Sequence, residues 1–478
     1  MRQCLPLLFL TTLVPALFAQ VRIGTGMIAD TYAQYCAVCH GEELEGGGLG
    51  PSLVDGEWVH GSRDEDIARV IREGVEEEGM VGFKGVLTDQ EVRAMVIYLR
   101  EMGQLASKQA SEEVEDPDGL VVESDHHNFR LEKVFEQPDA TFWAVEFLPD
   151  GTLLLSERSG KLYLVRAGML GEPVAGLPEI HARGQGGLME VMPHPDYEKN
   201  GWIYISYSDR VAGENGRDLF LTAVVRGRIK DGMWVDQEDI FRADPKYYSP
   251  TSHHFGTRFV FKDGYLYFSI GERGAQDLAQ DLRFPNGKIH RVHDDGSIPE
   301  DNPFSDNKEA YPTVWSYGHR NPQGLDLNPL TGELWETEHG PRGGDELNLI
   351  QPGHNYGWPV ITYGMNYDGR PITDQTSAPG MEQPITYWTP SIAVCGIDFY
   401  EGEAFPEWKN DLFVTGLSAE RLDRIRLDGT NVVEHEVVLR GLGRVRDVAN
   451  GPDGFLYVIL NHRGSNARGA VYRLVPVE

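Results

Sequence analysis

Two periodicities divide the chain. From Gly24 to Cys36, and again from Thr88 to Gly103, the pattern reads as helix; the second segment opens with Thr88 and Glu91 at capping-box spacing and carries Val92, Met95, Val96 and Leu99 on one apolar stripe. Between Ala106 and Ser124 this rhythm stops. Glu112, Glu113, Glu115, Asp116, Asp118 and Glu123 crowd around Pro117 and Gly119, which is the composition of a linker. Beyond it the period shortens to two, and one unit recurs: a turn containing Gly or Asn-Asp, an alternating strand, a second polar turn and another strand. Six copies begin at Pro149-Asp150-Gly151, Asn200-Gly201, Asp263-Gly264, Thr331-Gly332, Asn410-Asp411 and Pro452-Asp453-Gly454. Intervals of 42 to 79 residues between these turns leave room for four short strands and variable loops, the unit of a propeller blade. The spacing predicts a multidomain chain: a small all-α unit at 21–105, an acidic linker at 106–124 and an all-β six-bladed β-propeller at 125–478. The alternative is a β-sandwich with coincidental hairpins, which six distributed copies disfavour.

Charge narrows the partners. Lys and Arg number 43 against 74 Asp and Glu, a formal net charge of −31, so counterion release from a polyanion cannot drive binding; nucleic acid and anionic lipid are excluded as partners. Residues 1–20 place Arg2 before the apolar run Leu5 to Phe18 and Ala19, the layout of a secretory signal peptide, although Leu17 is larger than the residue expected before a cleavage site. No later stretch approaches the ~20 apolar residues of a bilayer span. The expectation is a periplasmic or secreted protein without membrane insertion.

Cys36-Ala37-Val38-Cys39-His40 is the C-x-x-C-H pattern of covalent haem attachment, in which two thiols hold the porphyrin edge and the next residue, His40, ligates iron. A zinc site would need more soft ligands nearby, and a plain disulfide is the remaining alternative. The sixth iron ligand is expected from the glycine-flanked Met80; Met95 lies on the apolar stripe of the last helix, and His60 would give a haem of lower potential. With Gly50-Pro51 and Leu87-Thr88-Asp89, these motifs make residues 21–105 resemble a class I cytochrome c.

Five runs break the strand alternation of the second unit with crowded polar, charged and glycine residues: 183–188, 252–256, 316–323, 338–346 and 443–447. One mouth of a propeller channel can gather loops from several blades. Arginines there suit a polycarboxylate, a histidine suits a base near neutral pH, and Gly-Pro carbonyls beside Asp and Glu suit a hard cation. Taken singly, each run also reads as solvent-facing arginines, structural carboxylates or turns.

Their order and length resemble the glucose/sorbosone dehydrogenase family, which includes the soluble quinoprotein glucose dehydrogenases and aldose sugar dehydrogenases and whose cofactor is pyrroloquinoline quinone (PQQ). The resemblance rests on 317–324, 338–350 and 355–359 and spans 125–478. It implies His254 as the base that takes a sugar hydroxyl proton, Gln185 and Arg320 beside substrate and quinone, and Asn321, Arg444 and Arg446 on PQQ. It further implies the carbonyls of Gly340 and Pro341 on a calcium that also binds PQQ, and Asp345, Glu346 and the Tyr356 carbonyl on a structural calcium. Ser391 stands at a threonine position of the family, and the resemblance implies that its hydroxyl keeps the contact with PQQ. Two departures bear on the site: His253 replaces the Asp that precedes the base, and 415–419 lacks the family's PQQ-contacting lysine.

The function expected from the whole is a quinohaemoprotein sugar dehydrogenase, in which the haem passes electrons to an external acceptor. Residues 21–105 hold 7 basic and 16 acidic residues, so that acceptor should present a basic face. The competing readings are a nitrite-reductase-like haem propeller, a family of eight blades, and a non-catalytic haem-bearing module that binds glycans or proteins.

Overall fold

The last strand of the propeller cannot pair with its own neighbours alone, so the ring closes by borrowing from the start of the domain. Phe129–Pro138 pairs antiparallel with Arg468–Pro476, in the same sheet as Arg444–Asn450 and Leu456–His462. Val121–Val122 adds an edge strand outside it. The computed structural model describes residues 27–47, 49–110, 116–213 and 216–477. The signal-peptide reading lies outside the described residues.

Five further sheets, each of four antiparallel strands in chain order, complete six blades, beginning at Phe142, Leu188, Phe259, Pro322 and Val394. The six sequence turns all lie between the first and second strand of a blade, which places them together on one side of the ring. The opposite side receives the loops that enter each first strand. Alternating residues of adjacent sheets interdigitate between blades: Trp335, Leu347, Trp388, Val394 and Leu412 fill one such seam, and Phe129, Trp408, Phe413, Leu456 and Tyr472 another.

Among the described residues the N-terminal unit has four α-helices, α1 (Met27–Tyr35), α2 (Ala37–His40), α3 (Asp64–Glu73) and α4 (Asp89–Ala110). The Thr88 cap forms as its spacing requires: the Glu91 amide donates to Thr88 Oγ1 at 3.2 Å and the Thr88 amide to Glu91 Oε2 at 2.8 Å. Val92, Met95, Val96 and Leu99 are all buried. Helix α4 continues through 106–110, and Leu120 and Val122 already pack on the propeller core, so both ends of the acidic segment belong to ordered elements.

The two units pack on each other. Propeller residue Met365 is buried within the helical unit's apolar cluster, and Arg342 forms a buried ion pair with Glu101 of α4 at 2.6 Å.

Candidate functional site

The predicted runs 183–188, 252–256, 316–323 and 443–447 lead into or open first strands, and 338–346 joins the second strand of its blade to the third. In an antiparallel blade those two positions share an end. The topology therefore delivers all five runs to one mouth of the channel.

At this mouth, His254 has a positive φ of 56°, sparsely populated for a side chain of this type. Three contacts hold it there. Its amide donates to Gln185 Oε1 at 2.8 Å, its Nδ1 lies 2.5 Å from Glu272 Oε1, and Arg273 donates to the carbonyls of His253 and Thr251. With Nδ1–H given to the carboxyl, Nε2 keeps its lone pair for the site. Burial dominates the titration of this ring and holds it well below the usual histidine range, reinforced by Arg320, His253 and Arg273, despite the carboxyl on Nδ1. Burial likewise raises the Glu272 carboxyl above its ordinary value. A neutral imidazole at neutral pH is a ready proton acceptor.

Facing it is unbalanced positive charge. Arg258 is neutralised by Glu190 and Asp447, each at 2.7 Å. Arg320, Arg444 and Arg446 have no such ion pair among the described residues, and the Nε atoms of Arg320 and Arg446 are buried without a partner. Burial, with Arg463 and Arg446 nearby, lowers Arg444 to about 10, and burial lowers Arg446. Desolvated guanidiniums with free donors call for an anionic ligand of several carboxylates. Arg446 and Arg258 stack 4.0 and 4.5 Å from the ring of the buried Trp143. Asn321 joins the two halves: its Oδ1 accepts from the Gly256 amide at 3.1 Å, and Gln323, which accepts from Arg446 at 3.1 Å, stands beside it. His339 sits within electrostatic reach of Arg320, Arg446 and His254.

The 340–346 loop adjoins this cluster. Arg320 Nη1 donates to Gly340 O at 2.7 Å, and the Gly340 amide donates to Asp345 Oδ1 at 2.8 Å. Asp345 also accepts from Ser391 Oγ at 2.6 Å and from the Val394 amide at 3.1 Å. Both oxygens of Asp345 and the hydroxyl of Ser391 are thus engaged inside the loop. Glu346 and Tyr356 line one small cavity with Gly340 and Arg320; Pro341 turns instead toward Gly364.

Beside that cavity, His319, Glu336 and Glu338 bring ligand atoms within 4.8 Å of one another. Glu336 Oε1 and Asn348 Oδ1 are buried acceptors without a partner, and Asn348 links Glu336 to Glu346. Burial, then the neighbouring carboxylate of Glu338, pushes Glu336 and Glu346 well above the usual range. Orphaned oxygens among crowded carboxylates fit a hard cation.

In the helical unit, Cys36, Cys39, His40 and Met80 line one cavity of about 200 Å³ with Tyr35, Ile71, Met95 and Leu99. Both thiols are free. His40 Nδ1 is held by the Pro51 carbonyl at 2.9 Å, which leaves Nε2 toward the cavity, while His60 Nε2 is taken by Glu78 at 3.0 Å. An apolar slot with two thiols, an oriented imidazole and a thioether fits a haem.

Glu272, Arg273, His339 and Glu336 were not identified from sequence. The signal available was positional: Glu272 and Arg273 follow the second strand of the blade whose first strand is led by His254, and so had to reach the same mouth.

The comparisons agree with this geometry. The Glucose / Sorbosone dehydrogenase family matches residues 135–473, and the cbb3-type cytochrome c oxidase subunit III family matches 27–99. The aldose sugar dehydrogenase of Escherichia coli is 43% identical over 325 residues, covering 66% of this chain and 86% of that protein. The crystal structure of the soluble E. coli aldose sugar dehydrogenase in its apo form superposes with a TM-score of 0.67 at 39% identity, covering 73% of this chain and 100% of that one. The PQQ-bound aldose sugar dehydrogenase of Streptomyces coelicolor gives a TM-score of 0.58 at 28% identity, covering 72% and 98%. Six blades, the His254 mouth and the family match lead to one conclusion: the chain belongs to the glucose/sorbosone dehydrogenase family of oxidoreductases, with a cytochrome c unit placed ahead of its propeller.

Proposed function

We propose that this protein oxidises an aldose or a related alcohol with PQQ and passes the electrons through a covalent c-type haem to an external carrier. The observation that carries the reading is the pairing of a buried, neutral His254, held by Glu272 and Gln185, with three guanidiniums that form no ion pair among the described residues. PQQ, when bound, supplies the hydride acceptor and the carboxylates those guanidiniums lack. His254 Nε2 takes the proton of the hydroxyl on the carbon being oxidised, and Glu272 steadies the imidazolium that results. Arg320 directs positive charge to the place where negative charge develops. Asn321, Arg444 and Arg446 orient the cofactor.

The carbonyls of Gly340 and Pro341 would hold a calcium at the cofactor mouth. For a second calcium the donor set would be Asp345, Glu346 and the Tyr356 carbonyl, extended by Glu336 and Asn348, with Asp345 also bracing the loop through Ser391 and the Gly340 amide. His40 and Met80 would hold the iron of a haem attached at Cys36 and Cys39. Export to the periplasm or medium, read from residues 1–20, would place the enzyme among oxidised soluble carriers, and the acidic helical unit suits one with a basic face. Among the described residues no helix is long and apolar enough to cross a membrane.

The test is to add PQQ and calcium to the purified protein, measure cofactor binding optically, and follow haem reduction across aldoses, alcohols and uronic acids. Bound PQQ with haem reduction by at least one aldose supports the reading. Bound PQQ with no reduction by any of them refutes it.

A further inference from the structure

The motif Gly340-Pro341-Arg342-Gly343-Gly344-Asp345 faces two ways. Its first residues adjoin Arg320 and the cofactor mouth. Arg342, expected from its run to face a polycarboxylate, turns away and gives Nε and Nη2 to Glu101 of α4 at 2.6 to 2.9 Å, with its side chain only 5% exposed. Gly343 lies under Ile97: a Cβ added there would stand 3.2 Å from Ile97 Cδ1. Arg342 also exchanges both backbone hydrogen bonds with Met365, whose side chain is buried in the helical unit. Arg93 Nη2 reaches the carbonyls of Thr373 and Asp374 at 3.3 and 3.4 Å.

Arg93, Ile97 and Glu101 recur every fourth residue and form one face of α4. Val92, Met95 and Leu99 form the opposite face, and Met95 and Leu99 line the Cys36–His40 cavity. A helix with its side chains is about 10–12 Å across. One helix therefore separates the loop that borders the quinone mouth from the haem cavity.

We propose that α4 docked on the 341–343 loop is the electron bridge of this enzyme, and that Ile97 and Glu101 are positioning residues that hold the haem one helix width from the cofactor loop. The inference rests on the quinone and haem reading given above. Sugar oxidation leaves two electrons and two protons on PQQ. They leave as two single electrons, each reducing ferric haem to ferrous, while the protons pass to solvent. A one-electron oxidant, such as a soluble ferric cytochrome or ferricyanide, returns the haem to ferric after each. Electron transfer weakens steeply with separation, so a bridge of this kind is undone by opening the contact and not by changing the sugar site.

The experiment uses the full chain loaded with PQQ, calcium and haem, as the parent and as Glu101→Arg and Ile97→Ala. Glu101→Arg sets two cations against each other; Ile97→Ala thins the contact while keeping the charge. Three quantities are read: hydrogen exchange of peptides covering 361–373, the stopped-flow rate of haem reduction by an aldose, and turnover with a small dye that takes electrons directly from the quinone. Expected are faster exchange in 361–373, at least tenfold slower haem reduction in Glu101→Arg with a smaller loss in Ile97→Ala, and dye turnover within twofold of the parent. Faster exchange with unchanged haem reduction would overturn the bridge. Unchanged exchange in both variants would overturn the assignment of Ile97 and Glu101 to docking. Failure of the parent to turn over the dye would instead strike the quinone reading, and the exchange result alone would then decide the docking.

Discussion

Replacing Glu272 by Gln separates the charge of the His254–Glu272 pair from its shape. In the parent, the carboxyl accepts the Nδ1–H at 2.5 Å and its second oxygen is buried without a partner. When His254 gains a proton in the transition state, this contact becomes a hydrogen bond between charged groups, worth about 1.5–3 kcal/mol against about 0.5–1.5 kcal/mol for a neutral pair. A glutamine that keeps its oxygen on Nδ1 therefore forfeits about 1–1.5 kcal/mol, a loss of roughly 5- to 15-fold in turnover. A glutamine that turns its NH₂ toward Nδ1 imposes the wrong tautomer, and the loss then approaches the whole general-base contribution of ~10²–10⁴. The pH profile distinguishes this from a structural lesion. Burial already holds His254 well below the usual range, so the base is free at neutral pH and is lost only as the pH falls through that lowered value. The acid limb of kcat/KM in the parent should lie below the ordinary histidine value of ~6.5. Removing a carboxylate removes support for the imidazolium, so in Glu272→Gln the limb should move further toward acid while the plateau falls. Steady-state rates with a dye acceptor between about pH 4 and 8 measure both. An unchanged plateau, or a limb displaced toward alkaline pH with PQQ shown bound, would refute the role given to Glu272.

Four other outcomes are expected. His254→Ala should lose ~100- to 10,000-fold in turnover while retaining PQQ, measured by dye reduction and cofactor absorbance; near-normal turnover would shift the role to His253. Arg446→Ala removes a charged donor to an anionic ligand, about 1.5–3 kcal/mol, and should raise the Kd for PQQ by roughly 10- to 150-fold in an optical titration. Met80→Ala should change the ligand-field spectrum of the haem, because His60 is already held by Glu78; an unchanged spectrum would reassign the ligand. Reduction of a basic cytochrome acceptor should slow as salt rises through about 0.1 M, where the screening length falls to ~10 Å; a salt-independent rate would count against an acidic docking face.

The sequence made the scaffold readable because each of its parts is local. A capping pair four residues long sets the start of α4, and a polar turn with Gly or Asn-Asp marks each first hairpin, so period and punctuation suffice. The 252–256, 316–323 and 338–346 runs were legible for a related reason: polar crowding inside a strand pattern has few structural uses. What stayed hidden depends on long-range closure. Glu272 lies in an ordinary Gly-Glu-Arg-Gly turn, and only the meeting of first and second strands at one mouth brings it to His254. Asp345 and Ser391 each look like ligands in sequence, but they are 46 residues apart and become each other's partner in the folded loop. Arg342 reads as another cofactor guanidinium until α4, 241 residues away, supplies Glu101. Glu336 is hidden by strand pairing rather than distance: its unpaired oxygen acquires meaning only once the next strand sets Asn348 opposite it and Glu346 nearby.

The central claim is that sugar electrons reach the haem through PQQ at the His254 mouth, and one anaerobic measurement addresses it. The full chain, loaded with calcium and held with ferric haem, is mixed with an aldose with and without PQQ, and the haem absorbance is followed in the parent and in His254→Ala. The account predicts ferrous haem only with PQQ present, and in the variant a rate lower by about two orders of magnitude or more. Haem reduction without PQQ, or at the parent's rate in the variant with PQQ bound, would contradict it.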